Sequence, residues 1–360
     1  MFSDAPISTT AQGEAVRTKE LDQTATNEVC RFRPVVHIGY HKSATTWFQK
    51  AFYPSVCNAR FIPRTAVREA LLDVTAFKFD RDQARARMGV EGEDAVTICE
   101  EGLSGYLHNG GMAGHLSKEM AFRIRDVWPD AQIVIFIRAQ PAIIAASYQQ
   151  YVRGGGTFSI RRYLFPETYL KGARGELAKA PRFLFDHYEF GPLIEHYRTV
   201  FGKDNVHVFP YEAFVRDRLA FLEEFCQRLG LRADLDKLRM RSSNRSYSIP
   251  TMWVVRLLNR FTSRTVIDKH YLFHIPFWYG LVRGIGEALN VLPIWGRAPS
   301  SQTILGRSIH RWIEQRYWRS NRDLMTATGL PLDQYGYPTS EPAVAVGKPG
   351  RSRGLGWFGN

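Results

Sequence analysis

Cysteine is scarce in this chain: Cys30, Cys57, Cys99 and Cys226 are scattered through 360 residues, with no CxxC pair and no histidine at metal-ligand spacing. That spacing excludes an ordinary structural zinc site and a dense disulfide framework, and no metal site is expected. The N-terminus lacks a basic segment followed by an apolar run, so nothing there reads as a secretory signal, and a reducing, cytoplasmic compartment is expected. Long apolar runs are missing as well. The most apolar region, 271–295, is broken by His274, Pro276, Arg283, Glu287 and Pro293. A spanning helix is excluded there, yet its aromatic and basic content suits peripheral contact with the inner face of a membrane, or the lining of an acceptor cleft. There is no repeat period and no helix-turn-helix, RNP or zinc pattern, so nucleic acid is not an expected partner.

What is present is a composition of 44% hydrophobic and 23% charged residues, that of a globular domain with a large core. The formal net charge of +13 favours polyanions, acidic lipids and phosphorylated or sulfated ligands without choosing among them. Residues 1–30 are polar and read as a flexible arm, and 339–360, rich in Gly and Pro, as a flexible tail. Between them, 31–338 reads as one domain.

Short Val- and Ile-rich runs at 35–39, 95–99, 132–137 and 205–209 alternate with stretches of helical length and spacing at 45–52, 118–127, 141–153, 186–201 and 211–229. This predicts an α/β fold, a parallel sheet flanked by helices on both faces, joined by right-handed crossovers and binding ligands at the carboxyl ends of its strands. After about Asn244 the alternation is lost. Residues 248–328 are expected to be a mostly helical C-terminal extension of the same domain.

The loop "YHKSATT" at 40–46 follows the first strand and opens a helix. A helix N-terminus there offers outward N–H groups and partial positive charge to an anion, Lys42 adds a full charge, and Thr45 and Thr46 add hydroxyls. Small Ser43 and Ala44 permit close approach. A nucleotide-triphosphate loop needs GxxxxGK[ST], whereas here only Gly39 is present and Lys42 precedes "SATT". A P-loop kinase or other phosphotransferase is the alternative reading that this spacing weakens. A second element, "IVIFIRAQPAIIAASYQQYVRGGG", puts Arg138 at the end of a strand and Ser147 in the next helix, a pairing suited to a second phosphate.

With these residues the sequence resembles the sulfotransferases that use 3′-phosphoadenosine 5′-phosphosulfate (PAPS), in particular their bacterial carbohydrate-type branch. "HIGYHKSATTWFQ" and "IRAQPAIIAASYQQYVRGG" look like the two signature regions, and "VHVFPYEAFVRDRLAFLEEFCQRLGL" is similar to the segment that follows. The resemblance covers about residues 34–231 and implies a P-loop-like fold that takes PAPS as sulfuryl donor without a required metal. It implies that Lys42 meets the 5′-phosphosulfate, that Ser43, Ala44, Thr45 and Thr46 line its phosphate, and that Trp47 lies against the adenine. Arg138 and Ser147 would hold the 3′-phosphate, and Tyr211 would approach the base. Two positions depart from the family, which commonly has Pro at His41 and Gly at Ala44. The Arg138–Ser147 interval is also one residue longer than the commonest spacing, which would fall on Ala146.

The acceptor needs a base. "AVTICEEGLSG" ends a strand with Glu100 and Glu101, and neighbours on an extended strand point to opposite faces, so one carboxylate is expected to face the site. Glu101 is the better match to the Glu of carbohydrate-modifying branches, and Glu100, His41, His108 and His115 are the other candidates. The basic loop "RMRSSNRSYS" at 239–248 reads equally as a cover for the 3′-phosphate and as a solvated loop. The expected acceptor is a small molecule or a glycan or glycolipid hydroxyl, less so an amine.

Overall fold

Four of the Val- and Ile-rich runs form the strands of one parallel sheet, and the computed structural model describes residues 32–92, 94–166, 182–236, 238, 246–264, 269–292, 298–343 and 347–349. The arm 1–30, residues 239–245 of the basic loop and residues 344–346 and 350–360 of the tail lie outside the described residues. In chain order the strands are β1 (Val35–Gly39), β2 (Arg60–Phe61), β3 (Val96–Cys99), β4 (Gln132–Ile137) and β5 (Val206–Pro210). They lie in the order β2-β3-β1-β4-β5, and every pairing is parallel. Every residue of β1, β3 and β4 is buried, as expected where helices cover both faces. β2, at the edge, has two residues, too few to show a hydrophobic period, and was not among the expected strands.

The helices are α1 (Thr45–Trp47), α2 (Arg64–Val67), α3 (Arg81–Arg87), α4 (His115–Val127), α5 (Gln140–Arg153), α6 (Ile160–Leu164), α7 (Phe190–Phe201), α8 (Tyr211–Arg216) and α9 (Arg218–Leu229). The helical extension follows as α10 (Ile249–Leu258), α11 (Trp278–Val291), α12 (Ser301–Leu305) and α13 (Arg307–Thr328). Two expected helices are divided. The stretch 211–229 breaks at Asp217, whose carboxylate accepts from Ala220 N–H and starts a new helix. The stretch 186–201 opens as a 3-10 turn, Phe185–Tyr188, before α7 begins. α1 runs on as a wider π turn, Phe48–Phe52, a form that recurs near functional sites.

α13 is fastened to α5 by a reciprocal pair of amides. Gln140 Nε2 donates to Asn321 Oδ1 at 2.8 Å and Asn321 Nδ2 donates to Gln140 Oε1 at 3.0 Å, both side chains being buried. Satisfied in this way, the two polar groups fix how the extension meets α5. α5 starts directly after β4, and α1 directly after the β1 loop. Both helices therefore begin at the carboxyl edge of the sheet, around the central strand.

Candidate active site

The loop after β1 is bent by residues that are not glycine. Gly39 has φ 89°, but Lys42 (φ 64°) and Ala44 (φ 70°) also take the left-handed conformation. For a residue with a Cβ this costs roughly 1–2 kcal/mol. Ala44 is the N-cap of α1 and offers no side-chain cap. The backbone N–H groups of Ala44, Thr45 and Thr46 consequently have no acceptor among the described residues, the arrangement that stabilises an anion at a helix start.

Lys42 stands over this start. Its Nζ donates to Gln150 Oε1 at 2.7 Å. Burial, with the charges of Arg153 and Arg138, pushes its pKa down to about 8, against a partial upward pull from Glu101. Arg138, at the end of β4, donates from Nη1 to the carbonyl of Lys42 at 2.8 Å and lies 4.7 Å from the centre of the Tyr211 ring. Its Nε is buried without a partner among the described residues. Three cations thus converge with few counter-charges, an arrangement that an incoming anion relieves. Beside them a cavity of about 430 Å³ is lined by Arg138, Tyr211, Arg216, Gln334 and Tyr335, and also by the carboxylate-bearing Glu212.

The remaining loop residues divide by where they point. Ser43 is buried and its hydroxyl donates back to the Tyr40 carbonyl. Thr45 is buried and Thr46 half-buried. Trp47 packs 5.1 Å from the Phe214 ring with Arg218 above it at 5.7 Å.

On α5 the site-facing row is Ala142, Ala146 and Gln150, spaced one helical turn apart, each part-exposed between buried neighbours. Ser147 is one residue round, and that rotation buries it. Its hydroxyl donates to Ile143 O at 2.8 Å and pairs with the Tyr188 hydroxyl at 2.7 Å. The structure therefore brings Arg138 and Lys42 together but leaves Ser147 in the core, with Ala146 at the surface position. Gln150 and Arg153, which the sequence reading passed over, complete that row.

The two glutamates after β3 differ in burial and surroundings but share the Arg64 guanidinium. Glu100 is fully buried, pairs with Arg64 and Arg68, and accepts from Gly102 N–H at 2.8 Å, capping the turn Glu101–Ser104. Glu101 turns to the loop, where Oε2 accepts from Gln49 at 2.8 Å and Oε1 from Arg64 at 3.0 Å. Burial pushes its pKa up, but the charges of His41 and Arg64 outweigh this and hold it below the usual carboxylate value.

Three histidines surround the same space. His41 Nε2 is 3.0 Å from Gly105 O, and burial lowers its pKa. His108 Nδ1 is 2.7 Å from the Tyr163 hydroxyl; burial, with the charges of His41 and Lys42, brings its pKa to about 3. His187, absent from the sequence reading, is brought to about 3 by burial and by His41 and His108, with its ring 5.1 Å from that of Tyr40. His115 is exposed on the first turn of α4. No group of three or more metal-ligating side chains occurs among the described residues.

Among solved structures the chain is similar to a sulfotransferase from Alicyclobacillus acidocaldarius, at 22% identity over 58% of this chain and 87% of that one, with a TM-score of 0.42. It is also similar to mouse sulfotransferase SULT7A1 complexed with PAP, at 15% identity over 85% of this chain and 90% of that one, with a TM-score of 0.37. No family model and no curated protein matches the chain. Likenesses at these scores assign no ligand or activity to this chain.

Proposed function

We propose that this chain is a PAPS-dependent sulfotransferase acting on a hydroxyl of a carbohydrate or glycolipid. The observation that carries this reading is the convergence of Lys42, Arg138 and Arg153 on a helix start whose N–H groups at residues 44–46 are unengaged. Such a centre fits a donor charged at two separate places. Lys42 and the residue 44–46 amides suit the 5′-phosphosulfate, while Arg138, with its free Nε, and the cavity over Tyr211 suit the 3′-phosphate and the nucleoside. Ser43 argues against the phosphotransferase alternative. In a triphosphate loop the residue after the lysine gives its hydroxyl to Mg²⁺, and here that hydroxyl is turned back onto Tyr40.

The donor supplies an SO₃ group on a phosphate leaving group. Catalysis then rests on alignment and on neutralising charge that grows on the bridging oxygen, by analogy with phosphoryl transfer. Lys42 is the group placed for that. Glu101 takes the acceptor proton, held in orientation by Gln49 and Arg64. His108 is the second reading for the base, because it is neutral at pH 7 and its Nε2 has no hydrogen-bond partner among the described residues. The free thiols of Cys57, Cys99 and Cys226 suit a reducing, cytoplasmic compartment.

The test is sulfate transfer from radiolabelled PAPS to a panel of glycan and glycolipid acceptors by wild type, Lys42→Ala, Glu101→Gln and His108→Ala. Transfer by the wild type with loss of about 10²-fold or more in Lys42→Ala and Glu101→Gln supports the assignment. Equal activity in all four removes it, and loss in His108→Ala alone moves the base to His108.

A further inference from the structure

α11 buries Val282 and Gly286 inward, and its exposed side carries an apolar strip flanked by the exposed Arg283 and Glu287. Phe277, Leu281, Gly284, Ala288 and Val291 recur at helical spacing, and all are exposed. Phe277 is 96% exposed and Val291 65%. The segment leading into the helix continues this surface with Leu272, 67% exposed, and Phe273. It is tied to the end of α10 by Leu272 N–H donating to Arg260 O at 2.7 Å, by Trp278 Nε1 donating to Leu258 O at 2.8 Å, and by Phe273 against Phe261 at 5.4 Å. α10 adds Trp253 and Leu257, one turn apart and both exposed. Scattered apolar side chains need no explanation, but a contiguous face of this kind marks a contact surface.

The charge around that face names the partner. Between residues 246 and 292 the sequence has five basic residues, Arg256, Arg260, Arg264, Lys269 and Arg283, against two acids, Asp268 and Glu287. Glu287 is already paired with Arg153. Arg256 lies over the Trp253 ring at 5.4 Å, and Arg260 and Arg283 are exposed. An aromatic and aliphatic face fringed by arginine is complementary to a bilayer interface with anionic headgroups. A second copy would bring the same excess positive charge, part of a formal +13, and is disfavoured by repulsion. No helix among the described residues is long and apolar enough to cross a membrane, so the contact is peripheral.

We propose that the α10–α11 face docks on an anionic lipid bilayer, with Leu272, Phe273, Phe277 and Leu281 in the interface and Arg260 and Arg283 on the headgroups. α11 also touches the donor end of the site: Tyr279 OH donates to Arg153 O at 3.1 Å, and Glu287, on the flank of the apolar face, holds the Arg153 guanidinium whose charge reaches Lys42. The helix that carries the docking face therefore also borders the site. Given the sulfuryl-transfer reading, on which this consequence rests, the acceptor is a lipid whose sugar headgroup is presented at the surface.

Co-sedimentation of the full chain with phosphatidylcholine vesicles, and with vesicles that also contain phosphatidylglycerol, tests the docking. The mixed vesicles are expected to bind the protein, less so at high salt. Phe277→Ser with Leu272→Ser is expected to lower the apparent partition about tenfold or more, as is Arg260→Glu with Arg283→Glu. These side chains are exposed, so unchanged melting temperatures are expected. Absence of binding, equal binding to both vesicle types, or binding unchanged in both variants overturns the proposal. So does a concentration-dependent dimer in sedimentation velocity that the apolar double variant abolishes, since the face then belongs to a second copy. Calorimetry of 3′-phosphoadenosine 5′-phosphate (PAP) on the same samples separates the two readings: failure of the wild type to bind it defeats the donor assignment and leaves the vesicle result standing.

Discussion

Arg138 reaches from the end of β4 to the carbonyl of Lys42, donating from Nη1 at 2.8 Å. The residue proposed for the 3′-phosphate thus also holds the left-handed residue that carries the reactive ammonium. Arg138→Ala is expected to weaken PAP binding about 10- to 100-fold, the range for a lost charged hydrogen bond of about 1.5–3 kcal/mol. Arg138→Lys should recover only part of it, because one ammonium cannot serve both the carbonyl and a phosphate. Calorimetry with PAP measures both, and unchanged affinity in Arg138→Ala would refute the second-phosphate role.

Lys42 has its pKa pushed down to about 8 by burial and by Arg153 and Arg138. An anion favours the protonated form, so binding raises that pKa and takes up a proton. Affinity for PAP is expected to be nearly flat below pH 8 and to fall up to about tenfold per pH unit above it. Calorimetry in buffers of different ionisation enthalpy at about pH 9 should show proton uptake that Lys42→Met abolishes. Uptake persisting in Lys42→Met would assign the titration to another group.

Ala44 sits at φ 70°, where a Cβ is strained. Replacing it with glycine removes roughly 1–2 kcal/mol of strain and adds about 0.5–1 kcal/mol of unfolded-state entropy. Ala44→Gly should therefore be neutral to slightly stabilising, by about 0.5 kcal/mol, with PAP binding retained. Denaturant unfolding reads the sign, and a loss above about 1 kcal/mol would show that the Cβ makes a contact that matters more than the backbone strain.

His37 is fully buried in β1, with its ring stacked 4.8 Å from Phe136 and its pKa brought to about 3 by burial. A folded pKa below the unfolded value of 6.5 means that the unfolded chain binds more protons between about pH 6.5 and 3, so stability rises with pH in that window. The contribution is complete above pH 6.5 and is lost as pH falls toward 3, at up to about 1.4 kcal/mol per pH unit for each such histidine. His108 and His187, also near 3, act in the same direction. His37→Phe should flatten the acid limb of a melting-temperature profile between about pH 6 and 4 by one histidine's share; an unaltered slope would contradict its buried neutral state.

The strand positions and the loop were legible because buried parallel strands are short apolar runs and anion loops combine a lysine with hydroxyls. β2 was not, since two residues carry no period. Ser147 shows the limit of spacing arguments: one residue turns a helix by about 100°, enough to move a hydroxyl from the site row to the core. Gln150 and Arg153 could have been found by stepping one turn at a time from Ala142 along the same row. His187 could not, because it reaches the loop through the packing of a turn nearly 150 residues away in sequence.

The most direct test of the account is calorimetric binding of PAP against ATP, each with and without Mg²⁺, to the full chain. A metal-independent preference for PAP of about 10²-fold or more, reduced in both Lys42→Ala and Arg138→Ala, is the predicted result. Tighter, Mg²⁺-dependent binding of ATP would contradict it and return the loop at residues 40–46 to a phosphotransferase.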